Sequence, residues 1–178
     1  MRKVLIIILI VITTIALTYF LIQKIGMKGF AFAWALNFLL MAGVLTFTET
    51  LKSPLTAAYF DAKPWENGGK IYQSFGINIF RKVLVWIGWE RLNKKSNPVE
   101  KNTEALMQLH YKTKQSEIGH LIILIIVTAF TVFVATEYGF KNSLWLILLN
   151  VLFNLYPILL QRFNRPRIGR ALNIAKQR

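Results

Sequence analysis

The chain has 178 residues, 54% of them hydrophobic, with 22 Lys and Arg against 8 Asp and Glu and no cysteine. The missing cysteines exclude disulfides, thiolate nucleophiles and cysteine metal sites, and the apolar fraction exceeds that of an ordinary soluble domain and points to a membrane protein. A net charge of +14 in a soluble protein would suggest nucleic acid, but its placement along this chain argues for membrane topology, and no nucleic-acid partner is expected.

In chain order, residues 4–22 carry no Asp, Glu, Lys or Arg. About 20 residues, at about 1.5 Å each, cross a hydrocarbon core of roughly 30 Å, so this run is long enough to span. Met1, Arg2 and Lys3 ahead of it resemble the basic start of a signal peptide. The apolar run is longer than a typical signal core, however, and Ile22-Gln23-Lys24-Ile25-Gly26 is a poor cleavage site, so a retained helix is expected. A second span is expected over 29–48, interrupted only by Asn37. The segment 50–117 follows. Within it, 75–89 is apolar and aromatic but carries Arg81 and Lys82 at its centre. Such a stretch is too short and too charged to cross, and suits a helix lying in the interface with its cations reaching toward headgroups. An exposed turn is expected over 93–102 and a helix over 103–117, running into a third span at 118–136. The fourth span, 142–160, contains Asn150 and Asn154, and a basic tail follows over 161–178.

Lys and Arg number 11 in 50–117 and six after Leu160, against two in 23–28 and one in 137–141. The positive-inside rule then places both termini and the middle segment in the cytoplasm, facing anionic lipid. The expected fold is an all-α integral membrane protein, a single membrane domain over 1–178. Its four transmembrane helices form two hairpins joined by a cytoplasmic segment that holds an interfacial helix.

Polar residues within these spans are the candidates for function, because an unpaired polar group in hydrocarbon costs several kcal/mol. Asn37 alone is more simply a helix–helix contact. Glu117 and His120 lie three apart on one helix face, and Asn150 and Asn154 lie four apart on the next helix, which runs back toward Gln161 and Arg162. His120 suits a general base near neutral pH, and Glu117 suits orienting its ring. Asn154 or Asn150 can donate to a developing oxyanion, and arginines suit a phosphate or carboxylate. Counting turns puts His120 and Asn154 at one depth, roughly 3 to 7 Å apart. His120, Glu117 and His110 are too few ligands for a metal, and none is expected. No phosphate loop and no nucleophile elbow is present.

The pattern E-x-x-H opening an apolar helix, followed by an Asn-bearing helix that ends N-x-x-P-I-x-x-Q-R-F-N-R-P-R, resembles the glycosyl-4,4'-diaponeurosporenoate acyltransferase family. These are small integral membrane enzymes that esterify a fatty acyl group onto the sugar of a carotenoid glycoside. The matching residues are Glu117, His120, Asn154, Pro157, Gln161, Arg162, Asn164, Arg165, Pro166 and Arg167. A second patch, W-E-N-G-G-K-I-Y from Trp65 to Tyr72 with Lys82 beyond it, is similar to an upstream part of the family. The resemblance covers about residues 60 to 170. It implies O-acyl transfer, with no cofactor beyond an acyl donor such as a thioester, a lipid-linked acceptor, and membrane lipid as surroundings.

The expected site therefore has His120, Glu117 and Asn154 as catalytic residues. Glu66, Asn150, Gln161, Arg162, Asn164, Arg165 and Arg167 are the expected substrate-binding residues, and Glu66 or Glu117 is the alternative base. The competing reading is a non-enzymatic membrane partner or scaffold subunit whose polar residues bind another helix. Convergence of the polar residues separates the two, since a scaffold has no reason to gather them. The residues name neither donor, acceptor nor oligomeric state.

Overall fold

The structure, a computed structural model, describes residues 1–89 and 102–177. The turn expected over 93–102 lies outside the described residues except for Asn102. Helices α1 (Arg2–Ile25) and α2 (Gly29–Leu51) open the chain. A 3₁₀ turn (Ala58–Phe60) and an irregular 3₁₀ run (Pro64–Gln73) lead to α3 (Ile77–Trp86). Helices α4 (Thr103–Tyr138) and α5 (Phe140–Asn150) follow, then a π turn (Val151–Leu155) and α6 (Tyr156–Lys176). No strand occurs among the described residues. Helices α1, α2 and α4 and the run Phe140–Lys176 are long and apolar enough to cross a membrane.

The chain divides into two compact units, Met1–Pro54 with Ile118–Leu155, and Leu55–Glu117 with Tyr156–Arg178. In the first, α2 contributes Phe32, Ala33, Leu36, Leu40 and Val44, spaced to fall on one helical face, and these meet Ile123, Val127 and Val134 of α4 and Leu146 and Leu149 of α5. Helix α1 has no fully buried residue and is largely apolar, which suits a helix that packs on α2 along one side and meets lipid on the others. Hydroxyls in these helices are turned inward on their own backbone. Thr14, Thr18, Thr128 and Thr131 each donate to the carbonyl four residues earlier, so none presents an unpaired polar atom to apolar surroundings.

The second unit is built on Tyr72, Ile77 and Phe163, with Phe80, Tyr156, Leu159 and Leu160 packed against them. Asn67, Gly68 and Gly69 are all left-handed, with φ of 47°, 60° and 89°. At Gly69 a side chain is excluded twice over. Its φ is positive, and a Cβ would stand 2.9 Å from the Phe163 carbonyl oxygen.

Helix α4 carries the helix expected over 103–117 into the third span as one element, Thr103–Tyr138, as the sequence suggests. One feature departs from the sequence expectation. The fourth helix does not stop at Leu160 with a tail beyond it: helical backbone continues through Pro157 and Pro166 to Lys176. A proline removes one intrahelical hydrogen bond and crowds the preceding turn, and the π turn just ahead of Pro157 widens the backbone where that crowding falls.

Helices α1 and α2 approach closely at Gly43, where an added Cβ would lie 2.5 Å from Thr14 Oγ1 and 2.9 Å from its Cγ2. Gly43→Ala is expected to lower the thermal unfolding midpoint in detergent by the equivalent of about 1–3 kcal/mol, the cost of overpacking. Adding Thr14→Ala should recover most of the loss. A double variant as unstable as Gly43→Ala alone would show that the contact does not set the helix spacing.

Candidate functional site

Three asparagines and a histidine form a continuous chain inside the first unit. Asn37 sits on the buried stripe of α2, Asn150 ends α5, Asn154 lies in the π turn, and His120 lies on α4. Asn37, Asn150 and Asn154 are all buried. His120 Nδ1 stands 3.3 Å from Asn154 Oδ1. Asn154 Nδ2 donates to Asn37 Oδ1 at 2.7 Å and to Asn150 Oδ1 at 2.9 Å. Asn150 Nδ2 in turn donates to the Leu124 carbonyl at 3.1 Å and to Thr128 Oγ1 at 3.2 Å. Both amide groups of this pair are therefore fully engaged within the protein, and neither has an N–H left for an oxyanion, the role that spacing alone suggested for them. The ring contact of His120 is made by Asn154, not by Glu117. In the same unit, an apolar cavity of about 540 Å³ opens between α1, α2 and α4, lined by Ile15, Leu40, Val44, Ile122, Ile126 and Phe130 among others. Its volume is that of a site for an extended small ligand.

The second unit gathers the charges. Glu117, fully buried, accepts from Arg162 Nε at 2.7 Å and from Arg165 Nη2. Arg162 Nη1 also reaches Glu66 Oε1 at 3.0 Å, and its Nη2 donates to the Tyr59 carbonyl at 2.8 Å. Arg165, also buried, donates to Thr113 Oγ1 and to the carbonyls of Phe60 and Thr113. Glu66 accepts from the Lys63 amide at 2.8 Å and from Tyr72 Oη at 2.5 Å. Two carboxylates and two guanidiniums balance in charge, which is the condition for burying any of them. Burial presses the Glu66 carboxyl upward, but hydrogen bonds from Tyr72, Lys63 and Arg162, with the charge of Arg162, outweigh it and hold it below the ordinary value. Burial and the bond to Glu66 push the Tyr72 phenol well above its ordinary value, so it stays a donor.

The remaining residues picked from sequence lie along α6. Gln161 donates to Ser116 Oγ at 3.2 Å. Asn164 is half-buried and makes no side-chain hydrogen bond to a described residue. Arg167 donates to the Phe163 carbonyl at 2.6 Å and lies 3.6 Å over the Phe163 ring. Arg81 stands 5.5 Å from that same ring, and with Arg170 it is close enough to repel Arg167. None of these three arginines has a carboxylate partner among the described residues. Sequence reasoning passed over Tyr59, Thr113 and Arg170, gave Arg81 only a headgroup role, and read Asn37 as a plain helix contact. Their partners lie far off along the chain, with no local pattern to mark them. Among the described residues, no three His, Asp or Glu side chains come together to hold a metal.

The model of the glycosyl-4,4'-diaponeurosporenoate acyltransferase family matches residues 56–174. The chain belongs to this family. No curated protein and no solved structure matches it. The matched stretch contains His120, Asn150, Asn154 and the whole Glu66–Glu117–Arg162–Arg165 cluster, whereas Asn37 and both N-terminal helices lie outside it.

Replacing Glu117 by Gln leaves Arg162 with Glu66 alone and Arg165 with no carboxylate partner among the described residues. This should cost about 3–5 kcal/mol, the scale for breaking a buried pair, read as a lower unfolding midpoint in detergent. Acid should act in the same direction through Glu66. A carboxylate held below its ordinary value of 4.5 stabilises the fold above that pH and loses its contribution as pH falls through the lower folded value. Unfolding midpoints should therefore drop on acidification below about 4.5, and Glu66→Gln should flatten that drop.

Proposed function

We propose that the protein is a multi-pass membrane acyltransferase that moves a fatty acyl group from a thioester donor to a hydroxyl of a lipid-linked acceptor. The sugar of a carotenoid glycoside is the acceptor that the family's description suggests. The observation that carries this reading is His120, hydrogen-bonded to Asn154 within an apolar bundle, in a chain of an acyltransferase family. In this reaction the imidazole takes the proton of the acceptor hydroxyl as its oxygen attacks the thioester carbonyl carbon. The tetrahedral intermediate collapses with loss of the carbon–sulfur bond, and the imidazolium returns its proton to the departing thiolate. No further cofactor is needed.

The apolar cavity between α1, α2 and α4 supports a substrate with a hydrocarbon tail, since it offers methyl and aromatic surface and its threonine hydroxyls face their own helices. In the second unit, taken by itself, Arg167 with Arg81 and Arg170 suits an anionic group, because Arg162 and Arg165 are committed to Glu66 and Glu117. Helix α3 lies along the membrane surface in this reading. Ile79, Val83 and Trp86 share a face and are exposed, which suits contact with acyl chains, while Arg81 and Lys82 reach headgroups. The excess of Lys and Arg in 50–117 and after Leu160 supports a cell-membrane protein with both termini cytoplasmic.

His120→Ala should lower acyl transfer by roughly 10²- to 10⁴-fold, the usual loss on removing a general base, while the protein still inserts and accumulates. An alanine variant with full activity removes His120 from the mechanism. Reporter fusions after Lys28 and Tyr138 should report outside, and one after Lys176 should report inside. The reverse pattern overturns the orientation.

A further inference from the structure

Asn37 lies outside the matched family region, yet it is 1% exposed and its amide has only one permissible orientation. Its Nδ2 donates to the Ala33 carbonyl at 2.8 Å, and a carbonyl can only accept. Asn37 Oδ1 must therefore be the atom facing Asn154, 2.7 Å away. Asn150 is pinned in the same manner. The Thr128 hydroxyl gives its own proton to the Leu124 carbonyl at 2.7 Å, so both atoms that meet Asn150 Nδ2 are acceptors. Asn150 Oδ1 then faces Asn154, 2.9 Å away.

Asn154 thus meets two oxygens that can only accept, and its amide has two hydrogens to give them. Turning the amide over would set oxygen against oxygen at both contacts with no proton between. With both hydrogens engaged, the group turned to His120 is Oδ1, and the ring nitrogen opposite it, Nδ1, must carry a proton. In a neutral imidazole with Nδ1 protonated, Nε2 holds the lone pair. Every buried side-chain nitrogen or oxygen among the described residues has a partner, and Nε2 has none, so it lies on accessible surface.

We propose that Asn37 is a positioning residue: with Asn150 it fixes the Asn154 amide, which holds His120 as the Nδ1–H tautomer and makes Nε2 the proton acceptor in acyl transfer. Its role in the reaction rests on His120 as the base, as proposed above. The tautomer stands independently of the chemistry. Order passes from two backbone carbonyls that cannot turn over, Ala33 and Leu124, through three amides to one ring nitrogen.

The chain has two histidines, so the full-length protein carrying His110→Gln, labelled with ¹⁵N in the histidine ring and reconstituted in lipid, gives one pair of ring signals. At neutral pH these should be those of a neutral ring protonated at Nδ1. Asn37→Leu, which removes the acceptor, should mix the tautomers and lower acyl transfer by roughly 10- to 100-fold, the scale on which outer partners of a functional histidine act. Asn37→Asp, neutral in this apolar core, keeps an oxygen facing Asn154 and an O–H on the Ala33 carbonyl, and should restore the Nδ1–H signal. A ring protonated at Nε2, or at both nitrogens, overturns the proposal whatever the activity. So does an Asn37→Leu protein that keeps the pure Nδ1–H signal. If Asn37→Leu fails to fold, the parent spectrum and Asn37→Asp decide the matter. A pure Nδ1–H ring in the parent, together with full activity in His120→Ala, would instead uphold the tautomer and remove its part in catalysis.

Discussion

Unpaired polar atoms are intolerable in a chain this apolar, and that constraint organises both units. In hydrocarbon or in a tight helical core, a lone amide or charge costs several kcal/mol, so each polar residue carried inward needs a partner carried inward too. No buried side-chain nitrogen or oxygen among the described residues lacks one. The two units meet the requirement by different means. The first uses neutral amides, whose separate donor and acceptor ends let them link in series from Ala33 and Leu124 to His120. The second uses full charges in balanced number, Glu66 and Glu117 against Arg162 and Arg165.

The difference has chemical consequences. A guanidinium held by two carboxylates and a carbonyl, as Arg162 is, has three of its five N–H groups engaged, one on each nitrogen, and is fixed in place. Such a cluster orients segments that are far apart in sequence more than it adds net stability, because the desolvation of the ions offsets much of their attraction. Here it ties the 3₁₀ run through Glu66 to the first half of α4 through Glu117, by way of α6. An amide chain places no charge beside the histidine. The ring therefore keeps the option of being neutral, which a base must be before it can take a proton. Reactive chemistry suits the neutral unit, and architecture suits the charged one.

The long helices are legible in the sequence because uninterrupted apolar runs of spanning length have few other physical solutions. His120 and Asn154 are legible as a pair for a related reason. Each sits a countable number of turns from a helix end, and rise per residue converts the count into depth. The pairing of Glu66 and Glu117 with Arg162 and Arg165 is not legible. It joins residues 45, 48 and 96 apart in sequence, and charge pattern alone makes the arginines look free for headgroups or a donor. The continuation of α6 through Pro157 and Pro166 is hidden too, since the general behaviour of proline argues for a stop. Asn37 fails to stand out because one asparagine in a span looks the same whether it links two helices or sets the orientation of another amide.

Pro157 and the π turn before it share one location, and the reason is structural economy at Asn154. A π turn adds a residue to one helical turn and so rotates the side chains that follow it relative to those before. Asn154 lies inside that turn, and the altered rotation lets it meet Asn150 on its own helix run and Asn37 on α2 at once. Proline at position 157 has no N–H to give the Phe153 carbonyl in a regular α-helical bond, so the sequence itself favours a departure from α-helical geometry at this point. The irregular backbone is thus tied to the amide it carries, because Asn154 meets His120 from within the π turn.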